Sequence, residues 1–115
     1  MIKQMNEELP KSIKRSLRML AERAYEVELR RALMDLSRDF DRWKQGEIDS
    51  FELKERIHKF HDGPAKEIYL RYTSNADLRL LVAYAVRENL IEQESIPPEV
   101  LPYLEGAFAF YREVS

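Results

Sequence analysis

The chain holds two histidines, three positions apart: His58 and His61, with Asp62 following. On a helix, residues three or four apart lie on neighbouring turns, so two imidazoles and a carboxylate can converge on one cation. A zinc site needs a third and often a fourth ligand, and Glu55 is a nearby carboxylate that could serve. His58, His61 and Asp62 are therefore the metal candidates. The plainer expectation is two histidines near a helix C-terminus, where an imidazolium complements the helix dipole. There is no cysteine, which removes thiolate ligands, thiol nucleophiles and disulfides. The pair Asp35/Asp39 shares one helix face, where Arg31, Arg38 or Arg42 is expected to neutralise it rather than leave it for acid–base work. No metal and no cofactor is expected.

Asp41, Gly46, Ile48, Asp49 and Glu52 stand at positions one, six, eight, nine and twelve of a loop that resembles an EF-hand. That family also needs oxygen ligands at positions three and five, which here are Trp43 and Gln45. Trp43 carries no oxygen. The turn and the helix cap are expected, without the calcium cage.

Arg56 and His61 form an Arg-x4-His spacing. This resembles the motif of HEPN-type ribonucleases, small helical proteins that dimerise and act on RNA without a metal. The resemblance covers six residues. It implies that Arg56 stabilises charge on the phosphoryl group and that His61 is a general acid or base. In that family the motif usually lies near the last helix, whereas here two or three helices follow.

Charge is uneven although the net value is only −2. Lys11, Lys14, Arg15 and Arg18 crowd one segment with no acid among them, a candidate nucleic-acid patch. Glu88, Glu92, Glu94, Glu99 and Glu105 crowd another. The basic segment is more readily a solvated face, because phosphate binding usually draws on a larger basic surface.

The elements around these residues read as helices. Apolar content is 44% and charged content 35%, with three glycines and five prolines, too few turn formers for an all-β chain. We expect an all-α fold: a four- to five-helix bundle with a long N-terminal helix, in one domain spanning 1–115. Residues 1–10 are expected to be disordered. The first residues have no apolar leader, and no apolar run approaches a membrane span. A cytoplasmic setting is expected.

The first helix runs from about Lys11 to Gln45, stopped by Gly46. Asp49 caps a second helix reaching Phe60, with Glu52 three residues on. Asp62-Gly63-Pro64 is expected to break the chain before a short third helix. Asn75 is the expected cap of a fourth helix, Ala76 to about Leu90. That helix is apolar nearly all round, so Leu81, Val82, Ala85 and Val86 are expected in the core. Ile96-Pro97-Pro98 turns into a last helix over about 99–113.

The first helix carries two stripes. Ile13, Leu17, Leu20, Ala24 and Val27 form the early one; Leu29, Leu33, Leu36, Phe40 and Trp43 form the late one. They point about 160° apart at 100° per residue. One core cannot cover both. The heavier late stripe is expected to pack inward. The early stripe then becomes an interface, with 11–28 as a projecting or dimerising arm, unless a break near Tyr25 to Leu29 folds it back.

These observations favour a non-enzymatic helical interaction or assembly protein that associates through its first helix, as a homodimer or with another protein. The alternatives are the HEPN-like ribonuclease and a nucleic-acid-binding regulator using Lys11, Lys14, Arg15 and Arg18. Nucleic acid is less favoured, and no membrane partner is expected.

Overall fold

A computed structural model of the chain describes residues 9–74 and 77–114. The expectation of disorder over 1–10 falls mostly, and the Asn75 cap wholly, outside the described residues. Everything else is helix, turn or short connection, and no strand occurs among the described residues.

Helix α1, Lys11–Lys44, is unbroken for 34 residues. The expected break near Tyr25 does not occur. Its end is a Schellman motif: Gly46 has φ 80°, its N–H donates to the Trp43 carbonyl, and the Glu47 N–H donates to the Arg42 carbonyl at 2.8 Å. A left-handed residue closes that pair of bonds, a conformation glycine adopts without steric cost.

Helix α2, Ser50–Phe60, starts on Asp49, whose carboxylate accepts from the Glu52 N–H at 2.8 Å. The expected break at Asp62-Gly63-Pro64 is replaced by a π-helical turn, His61–Ala65, that runs directly into α3, Lys66–Thr73. A wider i→i+5 turn admits one extra residue, and it lets Pro64 sit in a helix without ending it. Counting 50–73 as one continuous helix, there are four α-helices among the described residues.

Helix α4, Leu78–Arg87, is capped by Asp77, which accepts from the Arg79 N–H at 2.8 Å. It stops three residues before the expected end because Asn89 takes φ 59° and the Leu90 N–H returns to the Ala85 carbonyl. Short 3₁₀ turns at Gln93–Ser95 and Leu101–Leu104 precede α5, Glu105–Val114.

The molecule is 54 Å long and about half as wide. The N-terminal half of α1 packs on α4 and the 90–104 segment. Ile13, Leu17, Leu20 and Ala24 join Val82, Ala85, Leu90, Ile91, Ile96, Val100 and Leu104 in one core, with Val27 half-buried against it. The remaining half of α1 forms an arm with the returning α2–α3 helix.

The expected roles of the two stripes are therefore reversed. The early stripe is core, and the late stripe is the one left partly uncovered: Leu33 and Trp43 are 46% and 40% exposed. The body offers the early stripe seven buried apolar partners, whereas α2 and α3 bury only Leu53 and Ile68. The larger apolar surface takes the better fit. In α4, Leu81, Val82 and Ala85 are buried as expected, while Val86 is half-buried.

Candidate interaction surface

A charged network ties the two helices of the arm together. Asp39 of α1 accepts from Arg56 of α2 at 2.7 Å and from Arg42 at 2.9 Å. Arg56 also donates to Glu52 at 2.9 Å. The bonds to Glu52, and then to Asp39, raise the Arg56 pKa further. Asp35 pairs with Arg38, as expected. Arg31 does not join that set; it donates to the Asn89 carbonyl at 2.8 Å, just past the end of α4. An open groove of about 300 Å³ beside Asp39 is lined by Ala32, Leu36, Arg56, Lys59 and Phe60.

Arg56 is thus engaged by two carboxylates, while His61 stands exposed at the start of the π turn. The Arg-x4-His pair is not gathered at one pocket. His58 Nε2 meets Asp62 at 3.0 Å, one turn away, and His61 is not part of that contact. Among the described residues, no three His, Asp or Glu side chains are grouped so as to hold a metal ion. Within the EF-hand-like loop, Asp49 serves as the cap and Glu52 pairs with Arg56, so both are committed to structure.

Several large apolar side chains of the arm stay outside the core. Leu33 is 46% exposed and Met34 54%, and with Glu26, Leu29 and Arg30 they line a shallow depression on α1. At the arm's tip Phe51 is 83% exposed and Trp43 40%, and the Trp43 indole N–H donates to the Ser50 hydroxyl at 3.0 Å. That bond ties the indole to the start of α2. Ile13, Leu17, Leu20 and Ala24 are not an interface, because their own chain buries them. Lys11, Lys14, Arg15 and Arg18 are all exposed, on the side of α1 away from the core.

Where the arm meets the body, one carboxylate gathers three donors. Glu28 of α1 accepts from Arg71 and Tyr72 of α3 and from Tyr84 of α4; the phenol distances are 2.9 and 3.1 Å. Tyr25 stacks on Tyr72 with ring centroids 4.9 Å apart, and the Arg71 guanidinium lies 4.8 Å from the Tyr84 ring centre. Burial, followed by the bond to Glu28, pushes the Tyr72 phenol far above its usual range. Burial and the Glu28 charge push Tyr84 up to about 12, against the opposing effect of Arg71. Three separate helices converge here, so the cluster holds the arm at a fixed angle to the body.

The sequence reading missed this cluster. Glu28 was visible only as an acid on α1. The hint was a charged residue at the point where the apolar stripe changes side, with no base at i+3 or i+4 other than Arg31, which has another role. Comparison with protein-family models, with characterised proteins and with solved structures finds no match to this chain.

Proposed function

We propose that this is a non-enzymatic helical assembly module whose docking element is the outward face of α1 together with the arm tip. The single observation that carries the reading is the amount of large apolar side chain that the arm leaves uncovered: Leu33, Met34, Trp43 and Phe51 are all at least 40% exposed. Single exposed leucines are ordinary, but four large apolar side chains left uncovered on one arm are what an interaction surface offers. Trp and Phe at a tip also match the aromatic anchors that dominate interface energies. The Glu28 cluster supports the reading because it makes the presenting element rigid, which lowers the ordering entropy of association.

The test is native mass spectrometry of the chain isolated without denaturants, beside the double variant Leu33→Asp, Met34→Asp. The reading expects a complex heavier than one chain, lost in the variant while its circular dichroism is unchanged. A single chain at every concentration, or a complex indifferent to the substitutions, overturns it.

A further inference from the structure

Helices α4 and α5 pack on each other in the body, and an open pocket of about 220 Å³ lies between them. Its floor is apolar: Ala83 and Val86 of α4 and Phe108 of α5. Ala83 is buried and the other two are half-buried. Arg87 follows Ala83 by four residues, and Arg112 follows Phe108 by four. Each helix therefore brings an arginine to the pocket on the face that carries its apolar residue. Gln93, on the 3₁₀ turn, also lines it. Among the described residues, no acid does.

Arg87 is the cation that the fold leaves with donors to spare. Its guanidinium lies 5.5 Å from the centre of the Tyr111 ring, another wall of the pocket. That attraction acts on the charge and leaves the N–H donors in place. Glu88 stands 4.0 Å from Nε, too far for a hydrogen bond, and both side chains are more than 40% exposed, so the pair contributes little. Arg87 is not needed to cap α4 either. The Tyr84, Ala85 and Val86 carbonyls accept from the N–H groups of Glu88, Leu90 and Asn89, and Arg31 donates to the Asn89 carbonyl. Burial raises the Tyr111 phenol above its usual value, while Arg87 and then Arg71 act against that rise, so arginine charge is felt at the pocket wall.

We infer that this pocket binds a small organic acid: one carboxylate carried on an apolar ring or short chain. The carboxylate accepts from Arg87, whose planar fork matches two oxygens, with the charge of Arg112 in support. The apolar body covers Ala83, Val86 and Phe108. An inorganic anion would leave that floor wet, and a neutral hydrocarbon would leave Arg87 unused. The volume lies below the range of about 300–1,000 Å³ that takes drug-sized ligands, so the occupant is no larger than a single ring or a few carbons. This site is on the body and does not depend on the assembly reading.

Titration of the whole chain with phenylacetate, followed by NMR, tests the site. Signals of Val86, Arg87, Gln93 and Phe108 should shift together along one saturable curve. 2-Phenylethanol, which keeps the ring without the charge, should bind at least about tenfold more weakly, as should phenylacetate to Arg87→Gln, since each loses a charge-assisted bond. Inorganic phosphate, with charge and no ring, should also bind at least about tenfold more weakly, because it covers no apolar floor. Arg87 is exposed, so the variant should keep the wild-type spectrum away from the pocket. Arg87→Lys, which keeps the charge and loses the fork, should bind with intermediate affinity. No saturable shift in the millimolar range, or shifts centred on Lys11 to Arg18 instead, overturns the site. Equal affinity for the alcohol or for phosphate, or an affinity unchanged in Arg87→Gln, overturns the ligand class.

Discussion

The hydroxyl of Tyr72, on α3, donates to the carboxylate of Glu28, on α1, at 2.9 Å across forty-four residues of sequence. Around that bond Arg71 and Tyr84 spend their own donors on the same carboxylate. Replacing Tyr72 by Phe removes one donor to a charged acceptor and should cost about 1.5–3 kcal/mol. Glu28→Leu should cost more, because it leaves Arg71 and two phenols without their acceptor. Urea unfolding measures both. A loss below the error of the midpoint for Tyr72→Phe would show that the cluster is decorative.

The same cluster predicts an alkaline limit. Burial raises the Tyr72 and Tyr84 phenols above the ordinary value of 10.0. A raised pKa means that the folded state keeps its proton when the unfolded chain has lost it. The stabilisation is whole below pH 10.0 and falls as the pH climbs from there through about 12, where Tyr84 ionises. Stability should therefore drop across that window, and less steeply in Tyr84→Phe. Phenolate absorbance followed against pH should show these two tyrosines ionising above the ordinary value of 10.0.

The junction between α1 and α2 is set by two residues. Gly46→Ala places a Cβ at φ 80° and should cost about 1–2 kcal/mol from backbone strain alone, since nothing lies within 4 Å of the added carbon. Asp49→Ala loses the cap and should cost about 1 kcal/mol. Thermal unfolding measures both, and Gly46→Asn should be milder because asparagine tolerates the left-handed region.

The reversed stripes give a direct contrast. Leu17 is fully buried, so Leu17→Ala should lose about 2–5 kcal/mol through lost transfer energy and a cavity. Leu33→Ala, at a half-exposed site, should stay within about 0.5 kcal/mol. Equal losses in denaturant titrations would contradict the observed placement of the two stripes.

Much of the fold was readable from local chemistry. The Gly46 stop, the Asp49 cap with its acceptor geometry, the start of α1 and the burial of Val82 and Ala85 all follow from rules that need only a few neighbouring residues. The boundaries that failed depend on longer reach. Asn89 ended α4 early because asparagine can take a left-handed conformation, which its neighbours do not announce. Pro64 was read as a breaker, yet a π turn absorbed it. The choice between the stripes failed for a deeper reason. Counting the bulk of Leu29 to Trp43 gives the wrong answer, because what decides is the apolar area waiting on the other elements, here Leu90 to Leu104. The Glu28 cluster joins positions 28, 72 and 84, and no spacing rule links them. Of the candidate site residues, the exposed basic set was placed correctly at the surface, whereas Arg56 proved to be a strut between α1 and α2.

The early stripe of α1 belongs to the core, and the outward face of the helix is proposed to hold a partner. Sedimentation velocity across micromolar to millimolar concentration, on the wild type and on Leu33→Asp with Met34→Asp, tests it most directly. The wild type should sediment as a species larger than one chain, and the variant as a single folded chain. A wild type that stays a single chain throughout, with no complex found on native isolation, would contradict it.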